Sequence, residues 1–337
     1  RIDRRPALKK DEAMLYLVGT GGRYVAVLDW RGRLQLVELG SRDAVHERVT
    51  AARDSWVIGG ENEEGPARTK ALLELVCPPK LLAPFQDPDA AKRPAHVYVA
   101  ASGPLARLPW PVLLEEALTR AGSKLETVPT VSVVASQAVL KHLRAWNPPA
   151  RGGSILAIGD PDYTSAGPNK TAVAYYGNTL ARLESSGEEV RAIIDEEQYD
   201  LGLLGTDANE ARLREALFDP EYPFDVLHLS CHGFLYQAAP WMSALALHAT
   251  TEDDGLVTVE EIGTWEFRTG PRLVVLAACR SGLGEPVPGE GEEGLVRAFP
   301  LAGARHVVGS LWNVPDDTTQ KLMIAFHKKV REEGLSP

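Results

Sequence analysis

Cysteine is scarce in this chain. Three thiols, Cys77, Cys231 and Cys279, stand among 337 residues. So small and odd a number gives no disulfide framework, and a reducing, cytoplasmic setting is expected. Basic residues are short as well. The 36 Lys and Arg against 46 Asp and Glu leave a net charge of −10. Nucleic acid, whose binding leans on clustered cations, is therefore not an expected partner. No apolar run approaches the ~20 residues that a membrane span needs, so no membrane partner is expected. An initiating methionine is missing, and the other end falls inside helical periodicity at 320–333. The sequence reads as a fragment of a longer protein.

What is present is ordinary globular composition, 44% hydrophobic and 24% charged, with length for one large or two ordinary domains. The clearest break in composition is Pro148-Pro149 followed by Gly152-Gly153. It divides the chain into 1–150 and 151–337. In the first part, short apolar runs over 13–40 are split at Gly21-Gly22 and Arg31-Gly32, which predicts antiparallel strands joined by tight turns. Helical spacing follows at 43–56 and 66–76, with a strand at 96–101. A second extended piece begins near Val131, and a helix begins near Ser136. Cys77 ends an apolar helical face and reads as a small buried residue.

The second part alternates strand and helix, which predicts a mostly parallel sheet covered on both faces. Strands are expected at 154–159, 225–232, 243–247, 272–278 and 305–311, and helices at 188–197, 207–217, 292–303 and from Thr318 onward. Asp207 with Glu210 and Thr258 with Glu261 fit capping boxes. The stretches 163–179 and 284–294 read as loops, the latter mobile.

Two of these strands break at reactive side chains. Asp225–Gly233 ends in Cys231-His232-Gly233, and Arg272–Gly282 carries Cys279 at its break. In open α/β sheets, chemistry sits beyond the carboxyl ends of the strands. A thiol and an imidazole brought together there supply a nucleophile and its base. The separation, 279 − 232 = 47 residues, suits one strand–crossover–strand unit and matches the ~50 residues from His to Cys in caspases. Backbone N–H groups of Gly233 and Cys279 are candidates for the oxyanion hole, and glycine at 233 permits close approach. A zinc site from His228, Cys231, His232 and Cys279 is the competing reading. Strand alternation opposes it, because His228 and His232 share one face and Cys231 the other. Neither a metal nor any other cofactor is expected.

The stretches 227–233, 273–284, 289–299 and 302–319 resemble, in order, the CHAT family, caspase-like peptidases related to caspases and separase. Weaker similarity reaches back to about residue 70. The resemblance implies a caspase-like three-layer α/β/α fold with a mostly parallel sheet, preceded by a degenerate caspase-like half with N-terminal antiparallel strands. It implies a cysteine endopeptidase with His232 and Cys279 as its dyad, acting on protein or peptide substrates as the effector of a larger sensor or repeat protein. A regulatory module or activating partner follows from that setting. Pro300 and Ser281 depart from the family pattern without touching the dyad. The loop after Leu311 resembles one that helps form an arginine pocket in separase. This makes Asp316, Asp317 and Asn313 candidates for binding a basic substrate residue, although either aspartate suits an N-cap equally. Two other functions compete: a catalytically idle scaffold, and a redox sensor built on Cys231 and Cys279.

Overall fold

The computed structural model describes residues 8–57, 64–124, 126, 128–145, 153–164, 180–236, 238–267, 270–278, 285–287 and 291–332. The chain divides into two compact units, Arg1–Arg144 with Pro286–Glu292, and Ala145–Glu285 with Glu293–Pro337.

The first unit opens with the predicted meander, β1 (Glu12–Thr20), β2 (Arg23–Trp30) and β3 (Arg33–Ser41). Both turns place two successive residues at positive φ, Gly21 and Gly22, then Arg31 and Gly32. That backbone twist matches flanking strands and suits glycine. Helices α1 (Arg42–Val57), α2 (Gly65–Val76) and α3 (Pro79–Leu82) follow, then β4 (His96–Ala101), α4 (Trp110–Arg120), β5 (Thr130–Val133) and α5 (Gln137–Ala145). The sheet runs β3-β2-β1-β4-β5, with β4 parallel to both neighbours. One face buries Leu15, Leu17, Leu28, Val97 and Val99 against Leu72, Val76, Trp110 and Leu113. Cys77 lies in this core. Ser136 marks the start of α5, its hydroxyl accepting the Val139 N–H at 3.2 Å.

The second unit contains β6 (Ile155–Pro161), α6 (Glu184–Ile193), β7 (Leu201–Gly205), α7 (Glu210–Leu217) and β8 (Val226–Ser230). Next come β9 (His232–Phe234), β10 (Ala244–Ala246), β11 (Leu256–Thr258), α8 (Val259–Gly263) and β12 (Leu273–Leu276). The chain then forms β13 (Glu285–Val287) and β14 (Gly291–Glu293), most of whose residues are counted with the first unit, and the second unit resumes with α9 (Leu295–Ala302), β15 (His306–Gly309) and α10 (Asp316–Glu332). The main sheet has the order β15-β12-β8-β6-β7, and every pairing is parallel. Alternate residues feed opposite layers. Leu156, Ile158, Leu227 and Leu229 pack toward Leu213, Ile262 and Phe299. Ile155, Ala157, Val226 and Val275 pack toward Val190, Ile193 and Met323. This is the three-layer α/β/α arrangement expected of an all-parallel sheet. Close approach is built into it: a Cβ on Gly159 would lie 2.5 Å from the Ser186 carbonyl, so α6 lies directly on β6.

Several local expectations are corrected. Strand β8 stops at Ser230 and does not run on to His232. Cys231 turns the chain, and His232 opens a strand of a separate sheet, β11-β10-β9. Helix α6 starts four residues before the expected 188 and ends at Ile193. Asp207 does not cap α7; Asn209 does, accepting the Arg212 N–H at 2.9 Å. Strand β7 was not expected from its glycine-flanked leucines. Within 284–294, read as a loop, the described residues form the paired strands β13 and β14. The expected loop at 163–179 lies largely outside the described residues. The Thr258–Glu261 box is present with both reciprocal bonds. Pro300 sits inside α9, which ends at Gly303 with φ +116°.

Candidate active site

Strands β8 and β12 are parallel neighbours, with Leu229 opposite Leu276. A 47-residue separation thus spans one crossover between adjacent strands, and the chain leaves the sheet at both ends on the same side. On β12 the described chain reaches Ala278, which is buried and whose carbonyl accepts the Ser310 hydroxyl at 2.5 Å. Cys279, Ser281 and Gly282 lie outside the described residues.

His232 is half-buried at the start of β9, and Gly233 follows opposite Leu245. The His232 Nε2 is 2.8 Å from the Ala181 carbonyl oxygen. A carbonyl only accepts, so Nε2 carries the proton and Nδ1 is left as the basic nitrogen. The His232 backbone N–H donates to the Tyr163 hydroxyl at 3.4 Å. That hydroxyl donates to the Ala246 carbonyl at 3.0 Å. The Tyr163 and His232 rings lie 5.3 Å apart and tilted. Burial pushes the Tyr163 hydroxyl well above its ordinary pKa, so it stays a donor.

The carbonyl that holds the imidazole belongs to a short segment leading into α6. Arg182, next in the chain, forks onto Asp160 at the end of β6, with Nε–Oδ1 at 3.0 Å and Nη2–Oδ2 at 2.7 Å. The Asp160 N–H in turn donates to the Ser186 hydroxyl at 2.7 Å.

Asp316 stands in the first turn of α10, which starts two residues earlier than expected. Its carboxylate therefore does not cap its own helix. It accepts the Ser185 N–H at 3.1 Å, near the start of α6. Burial raises its carboxyl above the ordinary aspartate range, opposed by the Ser185 bonds and by His232 nearby. Asp317 and Asn313 are exposed, and Asp317 lies 3.9 Å from Lys321. Of the three residues expected to bind substrate, Asp316 is thus the one drawn inward, toward His232.

A model of the CHAT domain family matches residues 67–337. The chain belongs to the CHAT domain family. That family is one of caspase-like cysteine peptidases, and the three-layer fold agrees with it. Comparison with curated proteins returned no match. Among the described residues of this CHAT domain, no helix is long and apolar enough to cross a membrane.

His228 of β8 and Cys231 just beyond it are engaged elsewhere. His228 is fully buried, and its Nε2 lies 2.6 Å from Glu189 of α6. Its Nδ1 lies 3.0 Å from Nε2 of His327 on α10. Cys231 packs in the opposite layer with Leu227 and Leu229. Burial pushes its thiol up to about 12, where little thiolate forms at neutral pH. His228 and Cys231 thus belong to opposite layers, which does not suit the four-ligand zinc set. Sequence reasoning missed Tyr163, Arg182, Glu189 and His327. The one local signal was Asp160-Pro161-Asp162-Tyr163, a charged and aromatic cluster where a buried strand ends.

Proposed function

We propose that this CHAT domain is a regulated cysteine endopeptidase with His232 as base and Cys279 as nucleophile. The observation that carries this reading is the adjacency of β8 and β12, together with an imidazole whose Nε2 is held and whose Nδ1 is left basic. In the proposed reaction, Nδ1 takes the thiol proton and the sulfur attacks the peptide carbonyl. The N–H groups of Gly233 and Cys279 receive the oxyanion. The imidazolium then protonates the departing amine, and water hydrolyses the thioester. A reducing cytoplasmic setting, which keeps Cys279 as a thiol, goes with this reading.

A substrate with arginine or lysine before the scissile bond suits the site. Burial disfavours the charged form of Asp316, and a guanidinium beside it restores that charge. Asp317 and Asn313 would line the approach. The domain would act as the effector of a larger sensor or repeat protein and respond to an activating partner.

The test is digestion of a mixed peptide library by the full-length protein, with and without candidate activators, followed by sequencing of the products. Cuts after Arg or Lys are expected. Cys279→Ala and His232→Ala are each expected to lower cleavage by at least about 10³-fold while the fold is retained. No cleavage under any condition would favour a scaffold, and cleavage that survives Cys279→Ala would sink the dyad.

A further inference from the structure

We infer that Asp160 and Arg182 are a positioning pair for His232, acting through the Ala181 carbonyl. This rests on the peptidase reading and adds to it the residues that aim the base. His232 Nε2 is held at 2.8 Å by Ala181, and a backbone carbonyl is only as fixed as its segment. The next residue, Arg182, supplies the anchor. Its guanidinium contacts both carboxylate oxygens of Asp160, at 3.0 and 2.7 Å. Two parallel bonds from a planar fork fix orientation as well as distance.

Asp160 itself is firmly set. It is buried and has φ +44°, in the left-handed region, which aspartate tolerates better than most residues. Its N–H is bonded to Ser186, and the Ser186 hydroxyl donates to the Leu183 carbonyl at 2.7 Å. The segment is therefore tied to the end of β6 at Arg182 and, through Ser186, at Leu183. Glycine at 187 leaves room for this: a Cβ there would lie 3.0 Å from the Asp160 Cβ. Tyr163, three residues after Asp160, lies with its ring beside the same imidazole, and its hydroxyl accepts the His232 backbone N–H. One strand end thus sets His232 from two sides.

An arginine that is mostly exposed and salt-bridged to an aspartate is by default a minor contributor to stability. Its other charged neighbours, Glu184 at 3.6 Å and Asp162, would retain it near the surface without any fork. What distinguishes the positioning role is the carbonyl one residue away and the ring that carbonyl holds.

The experiment uses the full-length protein with the best substrate from the library digestion. Arg182→Ala and Asp160→Asn are each expected to lower kcat roughly ten- to a hundredfold, with KM within about twofold. Arg182→Lys keeps the charge without the fork and is expected not to restore the rate. The double variant is expected to be no worse than either single one. A second readout does not need activity: nitrogen NMR of the His232 ring, assigned by comparison with His232→Gln. The Nε2–H tautomer is expected to dominate in the wild type, with a mixture of tautomers in Arg182→Ala. Unchanged kcat with an unchanged ring signal in Arg182→Ala would overturn the inference. So would a defect confined to KM, which would make Arg182 a substrate contact. If the wild type shows no Cys279-dependent cleavage, the peptidase reading fails, and the ring signal alone still decides whether the pair sets the imidazole.

Discussion

Each unit has a strand flanked on both sides by parallel neighbours, β4 in the first and β8 in the second, and the residues just beyond the two strands differ in what they bind. Strand β4 ends at Ala101, and Ser102-Gly103 follow. There the Ser102 N–H and hydroxyl both donate to the Leu17 carbonyl at 3.0 Å, and the hydroxyl accepts the Gly19 N–H at 3.4 Å. Gly103 has φ +59°, and a Cβ there would meet the Tyr24 hydroxyl at 2.4 Å. This end is sewn onto β1. Strand β8 ends at Ser230, and after it the chain turns into a different sheet. His232 is held there by a carbonyl and a tyrosine and remains half-buried. The groups that would do chemistry at the β4 end are consumed in closing the sheet. At the β8 end, folding holds one side of an imidazole and leaves the other side basic. The same contrast recurs within β8 itself. His228 is satisfied on both ring nitrogens and has no exposed surface, which suits packing and not turnover.

The largest effect is expected at Glu189. The Glu189–His228–His327 chain links α6, β8 and α10 inside the layer behind the site. Glu189→Leu would leave the His228 Nε2–H without its acceptor in a dry interior. The expected loss is about 1–3 kcal/mol, read as a lower midpoint in urea. Glu189→Gln keeps an acceptor and is expected to lose less. Equal losses for the two variants would show that packing, and not the bond, is what counts.

A smaller effect is expected with acid. Burial, with His228 and Arg331 nearby, lowers the His327 pKa to about 3, and burial lowers His306 to about 4. In the unfolded chain both titrate near 6.5, so the unfolded state binds more protons in between. Stability is therefore intact above about pH 6.5 and lost as pH falls toward 4 and then 3. The slope is up to ~1.4 kcal/mol per pH unit for each group. Asp29, Glu210 and Asp316, held above the ordinary carboxyl range, run the other way and gain stability as they protonate. His327→Gln isolates the imidazole: denaturant midpoints against pH should flatten below pH 6 relative to the wild type. Parallel curves would show that His327 is not the group that titrates.

These contrasts were unequally visible in the sequence. The β8 and β12 runs were legible because a strand buried on both faces must be apolar throughout, but the end of β8 was read two residues late, since Cys231 and His232 continue the alternation and only the folded chain shows the turn at Cys231. The Thr258 box was legible because both partners lie within three residues. Asn209 lost to Asp207 in the reading because both are cap formers two positions apart, and only the backbone decides between them. Strand β7 was hidden because a leucine run broken by glycine carries little strand signal. The buried chain was out of reach, since Glu189 and His327 lie 39 and 99 residues from His228. On their own helices they look like ordinary polar positions. The Arg182 fork was hidden for the same reason: Asp160 is 22 residues away, and only the folded chain sets them side by side. For Cys279 the sequence remains the source of the assignment.

The smallest effect should come from Ser102→Ala. The Ser102 hydroxyl bridges Leu17 and Gly19, so its loss removes two side-chain bonds at a half-buried site. The Ser102 N–H still donates to Leu17, which keeps the ends of β1 and β4 together. The expected cost is about 1 kcal/mol, with cleavage by the full-length protein unchanged within about twofold. A stabilised or neutral variant would mean that the β4 end is closed by its backbone and Gly103 alone. A large fall in kcat without a fall in stability would mean that the end of β4 does more than close its sheet. The division between a closed strand end and a working one would then not hold.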